Sequence, residues 1–172
     1  MVANAVTSLR GVLAIPAFFF ALRPETLGWL ALCVAVAGLS DLVDGTIARR
    51  LGSTSQVGAA LDPIMDGLFY GGVALGLAFG GAYPLWLGAV VVLRYLVPVA
   101  AGGVLYLAHR LPRFQHTFFG RLSTTLIAVL LGGIALFRLP GLATFAIVLI
   151  PLVTLLAWVD LGWTAVRLTR PR

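Results

Sequence analysis

Lysine is absent from the sequence, and all 12 of its basic residues are arginine. Acids are scarcer still, with 6 Asp and Glu among 172 residues. Charged side chains make up 10% of the chain against 60% apolar ones, and mean hydropathy is +1.04. A water-soluble domain carries roughly a quarter charged residues. This composition therefore excludes an ordinary soluble globule and implies an all-α integral membrane protein. The single cysteine, Cys33, excludes an internal disulfide framework and a thiolate metal cluster, and in its apolar run it reads as a packing residue. The two histidines, His109 and His116, flank a polar connection and read as solvated loop residues. A formal charge of +6 on such a chain indicates anionic lipid contact and topology, not a nucleic-acid partner. No soluble domain, internal repeat or low-complexity tail is visible, so residues 1–172 read as a single membrane domain.

What the chain has is apolar runs. A spanning helix needs roughly 20 mostly apolar residues. Breaks at polar and Gly/Pro clusters predict six transmembrane helices, over about Asn4–Leu22, Leu27–Arg50, Ala59–Phe79, Leu85–Ala108, Gly120–Phe137 and Leu142–Val166. The stretch "GVLAIPAFFFAL" resembles a signal-peptide core. Arg23, Pro24 and Glu25 follow it in place of an A-x-A-like cleavage site, so it is expected to be a retained first helix. Placing the N-terminus in the cytoplasm puts Arg10, Arg49, Arg50, Arg110, Arg113, Arg121, Arg167, Arg170 and Arg172 at or near that face, and only Arg23 and Arg138 opposite. The bias predicts cytoplasmic N- and C-termini. Trp29, Tyr83, Trp86 and Trp163 fall near span ends and read as interfacial anchors.

Four of the six acids crowd into residues 41–66. Asp41 and Asp44 close the second predicted helix at i,i+3 spacing, and Asp62 and Asp66 open the third at i,i+4, so each pair shares a helix face. The connecting loop is short, which makes the two helices antiparallel neighbours and allows all four carboxylates to converge. Unpartnered acids at a membrane edge are costly, and like charges repel. Arginines such as Arg49 and Arg50, or divalent cations, relieve both problems. Carboxylate oxygens suit Mg²⁺ or Mn²⁺. Four of them suit a two-ion site, with ions about 3.5–4 Å apart clamping a phosphoryl group. Gly45 and Ala48 share the Asp41 stripe and leave a smooth surface, Gly58 does the same at the start of the third helix, and Arg49 offers a fork for phosphate. A cation transporter or channel is the rival from another class. It is disfavoured because the acids gather at one face and do not cross the bilayer.

These residues resemble the signature of the CDP-alcohol phosphatidyltransferase family, D-x-x-D-G-x-x-A-R followed after about eight residues by G-x-x-x-D-x-x-x-D. Here the positions are Asp41, Asp44, Gly45, Ala48 and Arg49, then eight residues, then Gly58, Asp62 and Asp66. Asn4, Thr7, Arg10 and Pro16 in "NAVTSLRGVLAIP" are similar to the family's opening, and "GRLSTT" at 120–125 is similar to an element of members with glycerol-type acceptors.

The resemblance implies transfer of a phosphatidyl group from CDP-diacylglycerol to an alcohol, with release of CMP, in phospholipid biosynthesis. It implies a metal set of Asp41, Asp44, Asp62 and Asp66 holding two Mg²⁺ or Mn²⁺ ions, with Asp66 as the catalytic base. Asp41, Gly45, Ala48, Arg49, Gly58 and Asp62 would line the cytidine nucleotide pocket. The active site would face the cytoplasm at the cell (inner) membrane, in a homodimer. The acceptor of first choice is glycerol 3-phosphate, as in phosphatidylglycerophosphate synthases, with Arg94, Arg121, Arg110 and Arg113 as its candidate ligands. Phosphatidylglycerol, as in cardiolipin synthases, and an inositol phosphate are the alternatives. Arg94 equally suits an interhelical pair, and Arg110 and Arg113 also suit topology alone. Phosphatidylglycerophosphate synthases usually carry Arg-Glu in the fourth helix and Lys after the last aspartate. This chain has Arg94-Tyr95 and Gly67, with Gly102-Gly103 where a further arginine is expected. Asp160 is expected to pair with Arg167.

Overall fold

In hydrocarbon, a run of about twenty apolar residues satisfies its own backbone only as a helix. The computed structural model describes residues 2–51, 56–107, 118–137 and 139–169. The side chains of 2–7, 41–51, 56–61, 105–107, 118, 140 and 165–169 lie outside that description. All regular structure among the described residues is helical: α1 (Val2–Ala21), a 3₁₀ turn (Pro24–Thr26), α2 (Leu27–Leu51), α3 (Gln56–Phe79), α4 (Leu85–Leu107), α5 (Phe118–Phe137) and α6 (Pro140–Thr169). Six long helices thus stand where the apolar runs place them. Among the described residues, three segments are long and apolar enough to cross a membrane: Leu85–Val104, Phe119–Phe137 and Gly141–Thr164. Ser8–Ala21 and Pro24–Ser40 are shorter apolar helical stretches. The outside of the bundle is apolar too. Val12, Val129, Val148 and Val159 are each about two-thirds exposed, which suits lipid and would be an aggregation liability in water.

α3 is the hub, packing against α1, α4 and α5. Its seam with α1 is built from glycines four residues apart, the spacing that lets helix backbones touch. A Cβ on Gly76 would come 2.6 Å from the Phe18 carbonyl oxygen and 2.7 Å from Ala21 Cβ. A Cβ on Gly80 would come 2.7 Å from the Ala21 carbonyl oxygen, and Gly72 faces the Ala14 carbonyl. On its other flank α3 meets α4, where Gly88 sits against Ala74 and Ala78. α5 pairs with α6, and contacts of α2 with α5 and of α4 with α6 close the bundle. Phe69, Val73, Leu87, Val91, Ile127, Leu131 and Ile150 fill the centre. Cys33 is buried among apolar neighbours, as its sequence setting implies.

α3 ends in a Schellman turn. Ala82 N–H donates to the Leu77 carbonyl at 2.9 Å and Gly81 N–H to the Ala78 carbonyl at 3.1 Å. Gly81 has φ 79°, a conformation that glycine adopts without strain. The turn folds Tyr83 back inside, which corrects its reading as an interfacial anchor. Tyr83 is buried, and its hydroxyl donates to the Ala74 carbonyl at 2.8 Å. Trp29, Trp86 and Trp163 do face outward.

Candidate active site

The first half of α3 presents Asp62 and Asp66 on one face, one helical turn apart. Their shared partner is Arg10 of α1, which sequence reasoning places only as a topology residue and a family-like position. Arg10 is 2% exposed. Its Nη1 donates to Asp66 Oδ1 and lies 3.7 Å from Asp62 Oδ1. The Asp66 side chain is 15% exposed and that of Asp62 38%, so the pair opens to the surroundings on the Asp62 flank. Gly11 follows Arg10 and leaves room for the Met65 sulfur, where a Cβ would come within 2.5 Å of it. The α1–α3 seam is thus continuous from the glycine stripe up to the charged residues. The glycine stripe of α3 signals a close helix neighbour, but not that the neighbour is α1 with Arg10.

Asp41, Asp44, Gly45, Ala48 and Arg49 fall in the last part of α2, and Gly58 falls near the start of α3. Their side chains lie outside the described residues, as do Arg110, Arg113, His109 and His116. Among the described residues, no group of three or more His, Cys, Asp and Glu side chains comes together. The part of the acidic constellation that is described is therefore the Asp62–Asp66 pair, converging on one cationic group.

A second polar cluster joins α4 to the start of α5. Arg94 is 7% exposed. Its Nε donates to Ser123 Oγ at 2.8 Å and its Nη2 to the Gly120 carbonyl at 2.9 Å. Gly120 O also accepts from Ser123 Oγ at 2.9 Å and from Thr124 Oγ1 at 3.1 Å. The "GRLSTT" element thus lies in the first two turns of α5, folded around one carbonyl, with Arg121 exposed on its surface. The interhelical reading of Arg94 is what these bonds show, but both acceptors are neutral. Among the described residues no carboxylate stands within ion-pair distance of Arg94, and its guanidinium carbon lies 5.6 Å from the Tyr95 ring centroid. Asp160 of α6 reaches the start of α5. Its Oδ2 accepts the Phe119 backbone N–H at 3.3 Å, so α6 caps the opening of α5, where orphan donors favour an acid. The Arg167 side chain lies outside the described residues.

Two of the departures from the glycerol-phosphate pattern meet in space. A Cβ on Gly67 would lie 2.8 Å from Tyr95 Cβ. Tyr95 in turn stacks on Tyr70 with centroids 6.2 Å apart and planes 13° from parallel. Where an ion pair would suit lysine and glutamate, this chain has a small residue admitting an aromatic one. The Gly67–Tyr95 contact next to Asp66 is consequently uncharged.

The family model described as CDP-alcohol phosphatidyltransferase matches residues 1–166. Over 125 residues the chain is 34% identical to a cardiolipin synthase (CMP-forming) of Streptomyces coelicolor, an alignment covering 69% of this chain and 58% of that protein. Over 102 residues it is 32% identical to a probable phosphatidylglycerophosphate synthase of Mycobacterium tuberculosis, covering 55% of this chain and 47% of that protein. A 57-residue stretch is 46% identical to a phosphatidylinositol phosphate synthase of Streptomyces avermitilis, covering 31% of this chain and 23% of that protein. The chain spans about half the length of the first two of these relatives. No solved structure matches.

Proposed function

Because the chain belongs to the CDP-alcohol phosphatidyltransferase family, whose matched relatives are named as phospholipid synthases, we propose that it transfers a phosphatidyl group from CDP-diacylglycerol to an alcohol and releases CMP. The observation that carries this reading is the convergence of Asp62 and Asp66 on a single cation. Two hard carboxylates that already face a positive group form a donor set that fits Mg²⁺ or Mn²⁺. Asp41, Asp44, Asp62 and Asp66 would hold two such ions, which when bound supply positive charge against the pyrophosphate.

The remaining work falls to the chain itself. Asp66, as a carboxylate, takes the proton of the acceptor hydroxyl. The acceptor oxygen then forms a bond to the phosphorus nearest the lipid. The bond from that phosphorus to the bridging oxygen breaks, and CMP departs with the electron pair. Gly45, Ala48, Arg49 and Gly58, with Asp41 and Asp62, line the cytidine nucleotide pocket. Most of the catalytic effect is positioning and electrostatics.

The acceptor carries a phosphate. Support comes from Arg94, a buried cation that bonds to a hydroxyl and a carbonyl and lies beside an aromatic ring, which leaves its charge for an anion. Glycerol 3-phosphate is the first choice, with Arg121, Arg110 and Arg113 as outer ligands. Phosphatidylglycerol is a second reading, favoured by the uncharged Gly67–Tyr95 contact and by the relative named cardiolipin synthase. Six spans with both ends in the cytoplasm, a site at the inner face of the cell membrane and a homodimeric assembly complete the proposal.

The test is CMP release from CDP-diacylglycerol by the purified chain, with Mg²⁺ or Mn²⁺ and a panel of glycerol 3-phosphate, phosphatidylglycerol and inositol phosphate. Turnover with one acceptor, abolished in Asp66→Asn while CDP-diacylglycerol still binds, is the expected result. Equal turnover in that variant removes Asp66 as the base. Absence of CMP with every acceptor, alongside metal flux in vesicles, turns the reading to a cation transporter.

A further inference from the structure

We propose that Arg10 is the resident counter-cation of the Asp62–Asp66 pair and gives up its place when a divalent ion binds, so that it sets the metal affinity of the site. This rests on the metal-site reading given above. Carboxylates one helical turn apart repel, and a bundle in lipid offers little water to screen them. Arg10 answers both problems, because one nitrogen engages Asp66 Oδ1 and stands 3.7 Å from Asp62 Oδ1. A metal ion between the two carboxylates would take up the negative charge that Arg10 neutralises, so guanidinium and metal compete for the pair.

The backbone of Arg10 is not free to retreat. Gly11 beside it seats the Met65 sulfur, and further along the same seam Gly72, Gly76 and Gly80 press on the α1 backbone. The exchange therefore falls to the side chain, which can swing while its helix stays in place. Asp62, 38% exposed, is the flank by which an ion can enter. Arg10 is a positioning residue on this view: it keeps the metal-free carboxylates converged, at the expense of metal affinity.

The experiment is Mn²⁺ titration by calorimetry of the full chain in detergent micelles, without substrate, paired with thermal unfolding with and without Mn²⁺. Arg10→Met is expected to unfold at lower temperature without metal. It should bind Mn²⁺ roughly 10- to 100-fold more tightly, the scale of one charge-assisted contact, and gain more thermal protection from it than the wild type. Arg10→Lys, which keeps the charge and loses the fork, should fall between the two. If Arg10→Met is recovered only in Mn²⁺, the proposal stands. If Mn²⁺ does not rescue it, and Arg10→Lys binds Mn²⁺ no more tightly than wild type, the proposal fails. Equal or weaker Mn²⁺ binding by Arg10→Met overturns it alone, since a purely structural arginine would give that result. No Mn²⁺ binding by the wild type overturns the metal-site reading and this inference together.

Discussion

Replacing Arg94 by methionine separates the two roles available to a buried arginine. Its two hydrogen bonds, to Ser123 Oγ and the Gly120 carbonyl, are charge-assisted and together worth about 3–6 kcal/mol at most. Against that stands the cost of holding a guanidinium 7% exposed inside the bundle, which is itself several kcal/mol. The partners are not stranded by the change. Ser123 still donates to the Gly120 carbonyl, and Thr124 still donates to it as well. Methionine keeps much of the packing of the arginine stem. The net effect on stability should therefore stay within about 2 kcal/mol in either direction, read as a small shift of the unfolding midpoint in detergent. The effect on function should be larger. If the charge serves an anionic acceptor, its loss removes a charge-assisted contact and raises the acceptor KM by roughly 10- to 100-fold, leaving the CDP-diacylglycerol KM nearly unchanged. A variant destabilised by more than about 4 kcal/mol with an unaltered acceptor KM would refute the reasoning. It would show that the guanidinium is there to tie α4 to α5 and nothing else.

Two further outcomes follow from the packing. Gly67→Ala places a Cβ 2.8 Å from Tyr95 Cβ, a contact that no flexible chain end can relieve. It should lower stability by about 1–3 kcal/mol in thermal unfolding, and an unchanged midpoint would mean that α3 and α4 are less tightly apposed. Tyr83 reports on alkaline stability. Burial pushes its hydroxyl pKa well above the usual tyrosine value, so the folded chain keeps the proton that the unfolded chain releases above about pH 10. Its contribution is complete below that pH and is lost as pH rises beyond it. Tyr83→Phe should remove this part of the alkaline loss and cost about 1 kcal/mol near neutrality for the bond to Ala74. An unchanged alkaline unfolding profile would count against the assignment.

The parts legible in sequence are those fixed by local periodicity. Apolar run lengths predict the six helices because hydrocarbon leaves the backbone no other arrangement, and i,i+4 spacing alone puts Asp62 and Asp66 on one face. What stays hidden depends on how helices cross. Arg10 reaches Asp66 across 56 residues of sequence because glycines on α3 admit α1 to backbone contact, and no short-range pattern states which helix will use that stripe. Ser123 is visible as part of a motif, yet its service to Arg94 depends on the α4–α5 register. Tyr83 misleads because an aromatic near a span end suits both an interfacial anchor and a buried plug. A positive φ at Gly81, one that sequence allows but does not demand, decides between them. Asp160 is hidden for a related reason, since its bond to the Phe119 N–H depends on how α6 meets the start of α5.

The coupling of Gly67 to Tyr95 ties these observations to the chemistry. Gly67 adjoins Asp66, the residue assigned the acceptor's proton, and Tyr95 adjoins Arg94, the buried cation assigned the acceptor's charge. A direct contact between the intervening positions sets how far apart α3 and α4 hold those two groups. A lysine at 67, as in the glycerol-phosphate pattern the chain otherwise resembles, has no room beside an aromatic at 95. A glutamate at 95 would have no partner opposite a glycine. Each departure is therefore tolerable only with the other, and together they exchange an ion pair for an uncharged buried contact one residue away from both functional groups. With the charge gone from that contact, Arg94 is left as the local attraction for an anion. An uncharged contact at this place does not itself select a small anionic alcohol, and for that reason the acceptor panel must include phosphatidylglycerol beside glycerol 3-phosphate.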